Sequence, residues 1–318
     1  MTSAAAGTRR RFPPPLVAHG VGWYRRHNRL GDLTTAIVFV LPTLAILGVF
    51  TIWPIIQSGR LSLVDWDGLS AEREFVGFDN YAELWRSGVL TNSLRVTLLY
   101  TVAVSLGSMI AGLAVALLID HLGRGAGLYR ALYFLPAVAA TVAVSVVWKL
   151  LLDPNRGYIN TVLRDVGIDG PNWLRSSWAL PAVIIVGIWR RIGFNTIVFL
   201  AGLRSIGVDV LEAATIDGAG TWRRIRHIMI PLLAPMTLLV LIMGVIDGFL
   251  VFDQVFVMTG GGPAGQTEVL GILLHARAFR YFDVGGAAAL GVVVFVVIAA
   301  ITGLQWRLFG SGRRGLQT

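Results

Sequence analysis

Apolar residues along this chain gather into long runs, each closed by a basic, glycine-rich or proline-containing break. Six of these runs are long enough for the roughly 20 residues that a bilayer core demands. They extend from about Leu33 to Ser58, Val96 to Ile119, Ala131 to Leu152, Leu180 to Leu203, Pro231 to Phe252, and Val284 to Trp306. The pattern predicts an all-α integral membrane protein of six transmembrane helices. One polar stretch, residues 209–231, interrupts the series differently: it is amphipathic and charge-rich, and it reads as two short helices around a turn. In its first half Val210, Leu211, Ala214 and Ile216 recur at helical spacing; in its second, Trp222, Ile225 and Met229 do. Asp209 and Thr221 are placed to cap the two helices. Asp217-Gly218-Ala219-Gly220 breaks the period, because glycine accepts positive φ without steric cost. Flanked by membrane spans, such a helix pair has no core of its own, and its apolar stripe is expected to dock into another protein.

Composition agrees with the pattern. The chain has 318 residues, of which 55% are hydrophobic and only 14% charged, against about 25% charged in a soluble domain. Its mean hydropathy is +0.70. The net charge of +9 comes almost wholly from arginine, since Lys149 is the single lysine. These basic residues sit at the ends of apolar runs rather than on one solvated face, which argues against nucleic-acid binding. There is no cysteine, so disulfides and thiolate metal sites are excluded.

The arginines also orient the chain. With both termini inside, the inner segments hold Arg9, Arg10, Arg11, Arg25, Arg26, Arg29, Arg124, Arg130, Arg204, Arg223, Arg224, Arg226, Arg307, Arg313 and Arg314, fifteen in all. The outer segments hold eight: Arg60, Arg73, Arg86, Arg156, Arg164, Arg175, Arg277 and Arg280. The positive-inside bias therefore puts both termini and the 209–231 loop in the cytoplasm. Residues 1–32 form a basic N-terminal tail in which Val17 to Tyr24 is suited to an interfacial helix, 33–306 the membrane domain, and 307–318 a basic C-terminal tail. The longest outer loop, about 35 residues, is shorter than a typical domain.

Glu212-Ala213-Ala214, then Gly218 after three intervening residues, then Ile228 and Pro231, resemble the EAA loop of binding-protein-dependent ABC importer permeases; Ile230 stands where Leu usually precedes the proline. The outer loops agree with the same family. Trp53-Pro54 with Phe75-Val76-Gly77-Phe78-Asp79-Asn80-Tyr81, Asp153-Pro154-Asn155-Arg156-Gly157-Tyr158, and Thr259-Gly260-Gly261-Gly262-Pro263 are similar to segments of MalF-type sugar permeases. The resemblance implies a type I ABC importer (MetI-like) transmembrane domain in the bacterial cell membrane, forming half of a pathway for a sugar or sugar-like solute. It implies as partners a second permease of MalG type, an ATPase homodimer carrying ATP and Mg, and an extracytoplasmic solute-binding protein. Glu212, Ala213, Ala214, Asp217, Gly218, Trp222, Ile225 and Pro231 become the expected ATPase-coupling residues. No cofactor and no metal are expected in this chain.

Three charges stand deep in the apolar runs. Arg190 and Arg191 lie about ten residues, or some 15 Å, into a span crossing a core of about 30 Å. An arginine there costs about 2.5–3.5 kcal/mol unless water or a partner meets it. Successive helical residues diverge by about 100°, so one arginine is expected on the translocation pathway and the other in a packed or paired position. Asp247 is the third; it either contacts solute or pairs internally, in which case Arg190 is the partner considered. In MalF-type permeases the fourth and fifth spans contribute solute contacts, which here implies Gly187, Arg190, Arg191 and Phe194 together with Asp247, Gly248 and Val251. Lys149, near a span end, is expected to snorkel to the headgroups.

No catalytic constellation appears. Thr259-Gly260-Gly261-Gly262-Pro263 lacks the lysine and hydroxyl that follow the glycines of a P-loop, and the five histidines show no metal-ligand spacing. The mid-membrane arginines keep glycerol 3-phosphate or a glycerophosphodiester in play as the solute. A secondary transporter would need coupling carboxylates and inverted repeats, and a membrane-embedded enzyme a polar cluster at one depth, for which only Arg190, Arg191 and Asp247 qualify.

Overall fold

The computed structural model describes residues 29–122 and 126–310. The interfacial segment and most of both basic tails therefore lie outside the described residues, as does Arg124. Contacts divide the chain at Gln57 into a short leading unit and a unit beginning at Ser58. The first holds helix α1 (Arg29–Leu47), a π-helical turn, Gly48–Ile52, and the start of α2 (Trp53–Leu61), whose last residues count with the second. Residues Ile37–Leu61 form one apolar helix long enough to span a membrane.

The second unit is a helical bundle. A two-stranded antiparallel ribbon, β1 (Val64–Asp65) with β2 (Glu74–Phe75), opens it; Val64 pairs with Phe75. Helices α3 (Asp79–Arg86), α4 (Val89–His121), α5 (Ala126–Val138), α6 (Thr141–Leu151), α7 (Tyr158–Asp165) and α8 (Ala179–Arg204) follow. The polar stretch gives α9 (Val208–Ile216), α10 (Thr221–Arg224), a π-turn Ile225–Met229, and α11 (Ile230–Leu232). Last come α12 (Ala234–Phe249), α13 (Asp253–Met258), α14 (Leu270–His275), a π-turn Ala276–Arg280, and α15 (Val284–Gly310).

Among the described residues, four helices are long and apolar enough to cross a membrane, and six spans result if two bent pairs each count as one. The third and fifth predicted spans are those bent pairs. The third breaks by 95° between α5 and α6 at Ala139-Ala140, and the fifth turns by 66° where α11 meets α12 at Leu233. The connections between spans carry structure of their own, since α3, α7 and α14 and the small ribbon occupy them.

Glycines let the long helices approach one another. A Cβ on Gly187 would lie 2.7 Å from the Tyr100 hydroxyl, one on Gly248 2.6 Å from Thr101 Oγ1, and one on Gly244 2.6 Å from Ser105 Oγ. Helices α4, α8 and α12 thus meet at small-residue contacts, the usual solution where lipid supplies no hydrophobic drive. On α4 the facing residues are Ser93, Thr97, Thr101, Ser105 and Ser108, all buried. Their three- and four-residue spacing puts them on one side of the helix. At one end of the bundle Thr97 Oγ1 accepts the Leu270 N–H at 2.9 Å; near the other, Ile119, Phe199, Leu203 and Leu233 form a separate apolar core.

Candidate functional site

The 209–231 stretch lies at the end of the bundle where α4 and α8 finish. Helix α9 closes with a glycine C-cap. Gly218 has φ +75°, its N–H reaches Thr215 O at 3.1 Å, and the Ala219 N–H reaches Ala214 O at 2.9 Å, the paired bonds of a Schellman turn. A Cβ on Gly218 would meet nothing within 4 Å, so glycine is required by backbone conformation and not by crowding. Arg224 Nη1 donates to Thr215 Oγ1 at 3.1 Å and ties the two helices across the turn. Capping differs from expectation. The N-cap positions are Gly207 and Gly220, while Asp209 and Thr221 fall inside the first turns and cap nothing.

The stripe is divided between two destinations. Leu211, Ile225 and Met229 pack into the core built by Ile119, Phe199 and Leu203, while Ala214, also buried, lies along the groove between the two helices. The expectation that the whole stripe awaits another protein is thus corrected: half of it anchors the lever to its own bundle, because α4 and α8 extend past the last polar turn and offer it an apolar seat. Ile225, in particular, faces inward. Ile216 and Trp222 remain outside, 86% and 71% exposed. Glu212, Ala213, Asp217 and Pro231 are exposed as well. A groove of about 630 Å³ runs between the two helices, lined by Asp209, Ala213, Asp217, Ala219, Arg223 and His227 among others.

The second candidate region lies halfway along α8, where it faces the last turn of α12. Arg191 and Asp247 form an ion pair, so the pairing arginine is Arg191 and not Arg190. Arg191 is 7% exposed, whereas the Asp247 side chain is 55% exposed. Arg191 Nε and Nη2 and Arg190 Nε are buried without hydrogen-bond partners. The Arg191 guanidinium also lies 5.8 Å from the centre of the Phe194 ring, which is partly open. Arg190, Arg191 and Asp247 all lie within electrostatic reach of the Tyr100 hydroxyl. That hydroxyl donates to Gln254 Oε1 at 3.3 Å, and Gln254 Nε2 donates to Val183 O at 2.7 Å. The result is a polar layer spanning four helices.

Three of the expected pathway residues bring no polar side chain to this layer, although Gly187 packs against its Tyr100 hydroxyl. Gly187 and Gly248 are buried at helix contacts, as described above, and Val251 is buried in the core of Val96, Val183 and Val255. Sequence alone could not separate a packing glycine from a pathway glycine, because both demand the missing side chain. Gln254 was missed, although a buried amide one residue after an aspartate at a span end was a readable signal. Lys149 does not simply snorkel: its ammonium donates to Val257 O at 3.0 Å, at the C-terminal end of α13. The Thr259–Pro263 glycines do form a tight turn, closed by Thr267 Oγ1 donating to Gly262 O at 2.7 Å. Among the described residues no group of three or more His, Asp or Glu side chains is placed to hold a metal.

A multi-pass helical bundle with a bent helical lever at one end and a charged layer at mid-depth defines a membrane permease domain. The chain belongs to the family described as binding-protein-dependent transport system inner membrane components, whose profile matches residues 16–313, and it is a permease subunit of an importer of that kind. A probable ABC transporter permease protein of Pyrococcus horikoshii is 32% identical over 294 residues, covering 90% of this chain and 100% of the relative. The sn-glycerol-3-phosphate transport system permease protein UgpA of Agrobacterium fabrum is 32% identical over 271 residues, covering 85% and 92%. In fold, the chain is similar to a chain of a bacterial ABC transporter involved in the import of the acidic polysaccharide alginate, with a TM-score of 0.77 at 22% identity, covering 92% of this chain and 100% of that one.

Proposed function

We propose that this subunit forms half of a heterodimeric translocation pathway for a sugar or sugar-like solute, glycerol 3-phosphate and glycerophosphodiesters included, and that residues 209–231 couple it to a separate ATPase. The observation that carries the reading is the divided stripe. Leu211, Ile225 and Met229 fix the lever to the bundle, while Ile216 and Trp222 are left as the most exposed of its large apolar side chains, with Val208 and Val210 open beside them. Surface apolar groups of that size, beside a groove, mark a protein contact. Movement of a docked partner then passes to α8 and α12 through that anchored half. ATP and Mg belong to the partner chain, and this subunit is non-catalytic.

The partners in this reading are a second, MalG-type permease, an ATPase homodimer docked on the lever, and an extracytoplasmic binding protein that delivers solute at the opposite end. Both termini face the cytoplasm, in keeping with the arginine bias. Gly218→Val tests the coupling. At φ +75° an L-residue costs roughly 1–2 kcal/mol and a β-branched one more, so the turn opens and the exposed residues are re-aimed while the spans are untouched. ATP-driven uptake by the reconstituted complex is expected to fall at least several-fold with membrane insertion unchanged. Normal uptake by the variant refutes the coupling role.

A further inference from the structure

We infer that the mid-membrane layer recognises an anionic group on the solute, a phosphate or a carboxylate, through Arg190 and the unused donors of Arg191; this rests on the importer reading above. Charge sets the class. The layer carries two guanidinium groups and one carboxylate within electrostatic reach of Tyr100, and Arg191 with Asp247 accounts for only one of each. Arg190 makes no ion pair among the described residues, and its Nε is buried without an acceptor.

Arg191 has the same need. Of its buried nitrogens only Nη1 has a partner; Nε and Nη2 have none, although the side chain is 93% buried, being 7% exposed. Neither chemistry nor position favours leaving these donors empty, because an unmet guanidinium at mid-membrane depth is costly and buried donors are normally paired. A planar guanidinium with parallel N–H groups matches the two oxygens of a phosphate or carboxylate. Asp247 is more than half exposed and acceptor-only, suited to the hydroxyls of the same solute. An acid sugar or a polyol phosphate satisfies both ends; a neutral sugar leaves the extra positive charge unanswered.

The experiment uses the whole importer complex, with its ATPase and binding protein, in proteoliposomes. Three labelled probes are offered: sn-glycerol 3-phosphate, an oligouronate trimer, and neutral maltotriose. The inference expects ATP-driven uptake of at least one anionic probe and not of maltotriose. It further expects Arg190→Gln to lower that uptake at least tenfold, Arg190→Lys to retain most of it, and the control Arg95→Gln to leave it unchanged. Uptake of maltotriose alone, or anionic uptake indifferent to Arg190→Gln, overturns the anion site and leaves the importer reading standing. No ATP-driven uptake of any probe overturns both. If Arg190→Glu is inactive and an acidic-to-lysine change in the second permease restores it, the counter-charge is the partner's and the inference fails.

Discussion

Removing the Asp247 carboxylate should harm this protein more than removing the arginine it pairs with. In Asp247→Asn the Arg191 guanidinium keeps its charge in a site that is only 7% exposed. Breaking a buried pair in that way costs about 3–5 kcal/mol, and the half-open side of this pair reduces it to about 2–3 kcal/mol. In Arg191→Gln the charge left behind is a carboxylate that is 55% exposed. On the solute pathway proposed above that carboxylate opens to water, so the loss is nearer the 0.2–1 kcal/mol of a surface pair, about 1 kcal/mol with the lost packing of the arginine stem. The double variant, with two amides facing each other, should be more stable than Asp247→Asn alone. The assay is the temperature at which half of the detergent-solubilised complex stays monodisperse. Taking roughly 2–4 °C per kcal/mol, a drop of about 4–12 °C is expected for Asp247→Asn, and about 2–4 °C for Arg191→Gln. Equal losses, or costs in the double variant that simply add to within about 0.5 kcal/mol, would show that the pair does not hold the layer together and refute the reasoning.

Further tests address the outer end. Asn160 is 2% exposed; its Nδ2 donates to Pro154 O at 3.1 Å and Pro171 O at 3.2 Å, and its Oδ1 accepts from Trp173 Nε1 at 2.6 Å. Asn160→Ala leaves those groups unmet, at a cost of about 2–3 kcal/mol, and by loosening the loop should speed trypsin cleavage after Arg164 and Arg175, both already at the surface; an unchanged cleavage rate argues against an anchoring role for Asn160. Partial burial raises the pKa of Glu268, so its ionised form opposes folding above the ordinary carboxylate range. Glu268→Gln is therefore expected to stabilise the complex slightly at neutral pH, with the advantage fading as pH falls through that range; a benefit that grows on acidification contradicts the sign.

The spans, the lever and the family were legible in the residues because each rests on local pattern. Apolar runs of bilayer length announce helices whatever packs beside them, and Gly218 marks its turn through backbone conformation alone. The charge layer was visible only as an inventory. Arg190 and Arg191 are neighbours in sequence and point about 100° apart, so the choice of which meets Asp247 depends on how α8 is rotated against α12. Both helices are seated on α4 by close contacts at Gly187, Gly244 and Gly248, which no single-helix pattern encodes. For the same reason the pattern along the chain could not show that Gly187 and Gly248 pack against α4.

What the sequence determined by itself is therefore the set of elements whose causes act within one helix or one turn: six apolar segments, the helical lever, the glycine turns and the absence of catalytic or metal-binding motifs. Tertiary structure alone decided the breaks between α5 and α6 and between α11 and α12, the inward seat of Ile225, and the Arg191–Asp247 pair. Each of those is settled by what stands opposite a side chain, and residues far apart along the chain supply the opposing surface.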